Sequence, residues 1–148
     1  MNFCKKLLPA SISPEKQYGY AIVAAMALVA SADGVLEEEE AETAIKVIDN
    51  TKEIKKHLTT EEAHKAFLLY TTELMQSVNT EKTRFDIAVD ILLQKIPNVE
   101  KEEWKHNIIQ IAENMAESDG FVHEEEKKMI EKISAALWQS YKSYHPGI

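Results

Sequence analysis

The apolar residues of this chain recur at helical spacing from end to end. Every position from Ala21 to Ala30 is apolar. A run with no polar face predicts a helix, from Pro14 to about Ser31, lying in the middle of a bundle. Ser13 and Pro14 form its start, a hydroxyl at the N-cap and a proline at the first helical position, where the missing N–H costs nothing. A second helix shows Ala41, Ala44, Ile45 and Ile48 on one stripe. Asn50 and Thr51 interrupt it, and Lys52 to Leu58 reads as a short, loosely held helix. Thr59 with Glu62 three residues on is a capping box, opening a helix whose inner face carries Ala63, Phe67, Tyr70 and Leu74. Asn79-Thr80 opens the next, with Phe85, Ala88, Val89, Leu92 and Ile96 inward, and Pro97 ends it. Asn98 is read as the cap of a helix carrying Trp104, Ile108, Ile111 and Met115. The last helix carries Met129, Ile130, Ile133 and Leu137, and the aromatic tail from Trp138 to Ile148 is expected to pack at first and fray at its tip. No stretch alternates with the period of a strand. The chain therefore reads as all-α, a single compact bundle of six or seven helices spanning 1–148, with residues 1–12 as a poorly ordered arm.

One stretch is written twice. Ala30-Ser31-Ala32-Asp33-Gly34-Val35-Leu36-Glu37-Glu38-Glu39-Glu40 returns as Ala116-Glu117-Ser118-Asp119-Gly120-Phe121-Val122-His123-Glu124-Glu125-Glu126. The offset is 86 residues (119 − 33). It lays Ile22, Val23, Ala25, Met26, Val29 and Ala30 over Ile108, Ile109, Ile111, Ala112, Met115 and Ala116. Each copy has an apolar helix, an Asp-Gly turn that ends it through the left-handed conformation open to glycine, a block of Glu, and a second amphipathic helix. The repeat predicts a pseudo-twofold relation with the two Asp-Gly turns in equivalent places.

These segments resemble the paired A-x-x-D-G-x-x-x-x-E-E-E signatures of the TerB-like family, which includes the tellurite-resistance protein TerB and the N-terminal domain of membrane-anchored DnaJ-like co-chaperones. The likeness covers the helices around both signatures, roughly half the chain. Four residues after the motif Asp, where the family often has Ser or Asp, this chain has Glu37 and His123. The resemblance implies an all-α fold, acids that bind divalent metal, and a setting in tellurite or oxidant resistance, in one reading within a membrane-linked assembly.

Composition narrows the function classes. With 45% hydrophobic and 28% charged residues, 148 residues can bury a core as one domain. A net charge of -8 argues against nucleic acid, whose phosphates require clustered Lys and Arg, and favours cations or basic partners. The single cysteine, Cys4, excludes a disulfide framework and suits a reducing, cytoplasmic setting. Leu7-Leu8 is too short for a signal-peptide core, and the ten-residue run from Ala21 is half of a bilayer span, so no direct membrane insertion is expected.

The candidate chemistry is a hard-cation site. Oxygen ligands at a tight turn suit Ca²⁺, Mg²⁺ or Mn²⁺. Asp33 would coordinate from the turn with Glu37 or Glu40 from the next helix, and Asp119 with His123, Glu124 or Glu126 would form the repeat's counterpart. The competing explanation is structural. Asp beside a helix start accepts hydrogen bonds from unpaired N–H groups, and first-turn Glu complements the helix dipole by about 0.3–1 kcal/mol. A third possibility is a di-iron-like enzyme built on Glu61-x-x-His64 and Glu103-x-x-His106; it needs further inward acids, and the first helix has none after Glu15. Asp86 with Asp90, and Glu113 with Glu117, are carboxylate pairs better explained as wet faces. His57 and His145 read as exposed. Nothing resembles a nucleophile with its base or a phosphate-cradling loop. The expected function is a non-catalytic domain whose acidic turns bind a divalent cation or a basic protein partner, with a metal-free interaction module as the alternative.

Overall fold

The computed structural model describes residues 13–78, 82–93, 101–117 and 124–144, and the side chains within these spans other than those at 77–78, 82–86, 88 and 139–144. Seven helices lie in these spans: α1 (Pro14–Ala30), α2 (Glu38–Asp49), α3 (Lys52–His57), α4 (Thr60–Val78), α5 (Lys82–Leu93), α6 (Glu102–Ala116) and α7 (Glu124–Tyr144). The described residues contain no strand, so the bundle is all-α as its periodicity predicts.

Helix α1 is the axle. Its polar first turn is capped by the Ser13 hydroxyl, which accepts from the Lys16 N–H at 3.2 Å. From Ala21 to Val29 every side chain is buried, and α1 touches each of the other six helices, most extensively α6 and α4. A helix apolar all round can be stable only where neighbours cover every face. The stripes on α2, α4, α6 and α7 supply that cover: Ala44 and Ile48; Ala63, Phe67, Tyr70 and Leu74; Trp104, Ile108, Ile111 and Met115; Met129, Ile133 and Leu137 are all buried. Val89 and Leu92 of α5 are buried too, while Phe85, Ala88, Ile96 and Pro97 of the same reading lie outside the described side chains.

The Thr59 capping box forms as its spacing predicts. The Thr59 hydroxyl accepts from the Glu62 N–H at 3.1 Å, and the Glu62 carboxylate accepts from the Thr59 N–H at 2.9 Å. Two expectations are corrected. Helix α6 is capped at Lys101, not at Asn98. Its start follows the acids Glu102 and Glu103, which complement the positive helix end. Helix α3, expected to be loosely held, is anchored by buried Ile54 and by Leu58 behind it. A Cβ built on Gly19 of α1 would lie 2.8 Å from Leu58 Cγ, so the glycine permits this close approach.

The repeat has a spatial counterpart in the core. Tyr18 and Trp104 are 86 positions apart, the same offset as the two motifs, and their rings stack at 4.4 Å with planes 4° apart. Equivalent residues meet each other only where a twofold axis passes between them. The two copies are not alike in burial. Ala27 and Ser31 of α1 are buried, whereas Glu113 and Glu117, their equivalents on α6, are exposed. The first copy forms the interior, and the second lies on its flank.

Candidate functional site

The acidic corner grows out of the end of α1. The helix closes at Ala30 with Ser31 as C-cap, as the expected end at about Ser31 requires. Ala32 and Gly34 then turn back, with the Gly34 N–H donating to the Ser31 carbonyl at 2.9 Å. Gly34 has φ of 82°, a left-handed conformation that a side chain would strain. Asp33 is exposed, and its Oδ1 accepts from the Val35 N–H at 3.0 Å, the local turn that Asp side chains favour. Glu37 is the N-cap of α2, and the Glu40 carboxylate reaches back to accept from the Glu37 N–H at 3.1 Å. Part of the acid content is thus structural, as helix-start physics anticipates.

Capping does not account for the rest. Glu38, Glu39 and Glu42 are exposed, and among the described residues none of them forms an ion pair. Val35, 51% exposed, sits among them. Beneath the corner, Ser31 is fully buried and its hydroxyl has no hydrogen-bond partner among the described residues.

Of the repeat's counterpart, Glu124 is exposed and Glu126 half-buried in the first turn of α7. Asp119, Gly120 and His123 lie outside the described residues. Among the described residues, no group of three or more acids, histidines or cysteines is gathered as a metal site.

The two Glu-x-x-His motifs face outward. Glu61, Glu103 and His106 are exposed. His64 Nε2 pairs with Asp49 Oδ1 at 2.6 Å, tying α4 to the end of α2, and His106 lies against Trp138, with ring centres 5.3 Å apart. The interior positions that a di-iron centre would occupy are apolar. Asp90, Glu113 and Glu117 are exposed as expected, and Asp86 and His145 lie outside the described side chains.

A second cluster escaped the sequence reading. The Tyr18 hydroxyl donates to Glu53 Oε2 at 2.9 Å and accepts from Asn107 Nδ2 at 3.1 Å. Lys56 Nζ donates to the other Glu53 oxygen at 2.8 Å. His57 is only half-exposed, correcting the expectation of exposure, with its ring edge-on to Tyr18 at 5.3 Å. Lys101 Nζ lies 4.6 Å from the centre of the Trp104 ring. Burial pushes the Tyr18 phenol well above its ordinary value, and the Lys56 hydrogen bond holds the Glu53 carboxyl below its own. The alignment of position 18 with 104 was the available signal, hidden because Tyr and Trp match only as aromatics.

Neither the curated proteins nor the solved structures yield a match. Among the described residues, no helix is long and apolar enough to cross a membrane. The profile of the tellurite resistance protein TerB family matches residues 19–145, most of the chain, a span that takes in both Asp-Gly motifs and the helices around them. Duplicated motif, all-helical bundle and profile agree, and this chain belongs to the TerB family.

Proposed function

We propose that this TerB-family domain binds a divalent cation at its acidic corner, with Asp33, Glu37 and Glu40 as oxygen donors and Asp119, Glu124 and Glu126 as their counterparts, and that it has no catalysis of its own. The observation that carries the reading is the run of exposed carboxylates at Glu38, Glu39 and Glu42, without ion pairs among the described residues, next to exposed Asp33 and Glu37. Like charges held this close repel one another, and a hard cation relieves the repulsion with ligands of the type it prefers. Ca²⁺, Mg²⁺ and Mn²⁺ are the candidates, and tellurite or other stress resistance is the setting that the family supports.

Calorimetric titration of the full chain with Ca²⁺ and with Mn²⁺, repeated on Asp33→Asn/Asp119→Asn, tests this. Saturable heat and a raised melting temperature are expected for the wild type, and neither for the double variant. No heat and no thermal shift with either ion would remove the reading.

One observation favours a second reading. Val35 is half exposed amid the acids, a mixture suited to a protein surface that offers Lys or Arg around an apolar contact. In that case the corner docks a basic partner, membrane-associated in one version, without metal.

A further inference from the structure

The Tyr18 cluster is independent of the acidic corner and unexplained by it. Tyr18 is wholly buried, yet its phenol is aimed at a carboxylate. Because the phenol has one proton and gives it to Glu53, its oxygen can only accept from Asn107, so the direction of the proton is fixed by the partners. The Lys56 bond keeps Glu53 ionised and ready to receive that proton. In the other direction the phenol ring lies parallel to Trp104 at 4.4 Å, which gives overlapping π-systems and a short path for an electron. Trp104 is the outer member, 8% exposed, with the Lys101 ammonium over its ring. That cation disfavours a positive charge resting on the indole. Glu53 favours the charge deficit on Tyr18. Both effects drive oxidation inward, from indole to phenol.

We propose that Tyr18 is a one-electron redox site, in which an anionic oxyl radical takes an electron from Tyr18 through the stacked Trp104 while the phenol proton passes to Glu53. The electrons and atoms balance. The radical becomes its closed-shell anion, the Tyr18 O–H bond breaks to leave a neutral phenoxyl radical, and Glu53 becomes a carboxylic acid. A thiolate or ascorbate-type donor returns one electron, and the proton goes back from Glu53 to Tyr18. Burial slows coupling of the phenoxyl with another radical, so with the donor present the cycle restores the starting protein.

Pulse radiolysis of the full chain with carbonate radical anion tests this, in a Trp138→Phe background so that Trp104 is the one remaining indole of the two. Indolyl absorption is expected first, converting to phenoxyl absorption at a rate independent of protein concentration. Tyr18→Phe should abolish the conversion, and Glu53→Gln should slow it and change its dependence on heavy water. Each variant is first checked for native helicity by circular dichroism. Conversion at the parent rate and yield in either variant would overturn the proposal. A measurement on the unmutated chain covers a variant that fails to fold. After low radical doses with the thiolate or ascorbate donor withheld, so that the phenoxyl accumulates, mass-spectrometric mapping should find oxidation at buried Tyr18 ahead of half-buried Tyr20. Oxidation that follows solvent exposure and spares Tyr18 would overturn the proposal equally.

Discussion

Among the described side chains, Glu53 and Glu62 have their bonds complete and Ser31 does not. Hydrogen bonds from Lys56 to Glu53 and from Lys16 to Glu62 lower both carboxyl groups from the ordinary value of 4.5. A carboxyl depressed in the folded state stabilises the fold above its unfolded value, and that contribution is lost as pH falls through the folded one. The melting temperature should therefore drop as pH falls below about 4.5, and Glu53→Gln/Glu62→Gln should flatten the drop in thermal melts recorded across that range. The Lys16 and Lys56 ends act oppositely: both are raised above 10.5 by the same bonds, and their contribution fades only in strong alkali. The buried Ser31 hydroxyl lacks a partner among the described residues, and a buried polar group left unsatisfied costs about 1–3 kcal/mol. Ser31→Ala should leave stability unchanged or raise it by about 1 kcal/mol, read from urea denaturation midpoints. A loss of more than that amount would mean that the hydroxyl is bonded in solution.

Helices were legible in proportion to how much of their stability is local. The spacing of Ala63, Phe67, Tyr70 and Leu74 and the Thr59–Glu62 box define α4 without reference to any other part of the chain, and α4 forms as its pattern predicts. The start of α6 was misplaced because one cap residue, Asn98, is a weak signal, and Lys101 takes the position with no side-chain oxygen to offer. Helix α3 has a different basis. Its six residues have little helical stability of their own, and what holds it is the Tyr18–Glu53 bond across 35 positions and the contact between Gly19 and Leu58, neither of which has a period. That contact gives a test. Gly19→Ala gains about 1 kcal/mol of helix propensity, but a methyl 2.8 Å from the Leu58 branch point costs typically 1–3 kcal/mol by overpacking. The variant should be less stable, and its near-ultraviolet circular dichroism should change as Tyr18 and Trp104 shift. A more stable Gly19→Ala would show that α3 yields freely.

Taken whole, the molecule is a duplicated hairpin closed around one of its own helices. The acidic corner was legible in composition and motif alone, since Asp33 and Glu37–Glu42 face solvent as their charge demands. What was not legible was that the Ser31 hydroxyl beneath it is buried without a partner among the described residues, because its equivalent, Glu117, lies in solvent. The duplication is symmetric in its letters and asymmetric in its burden. Wrapped on every side, α1 can accept at positions 27 and 31 only what fits under its neighbours, whereas positions 113 and 117 border on water and tolerate almost anything soluble. Sequence drift in this fold should therefore run one way, with the outer copy wandering in length and charge while the inner one keeps the small residues from which the ancestral hairpin can still be read.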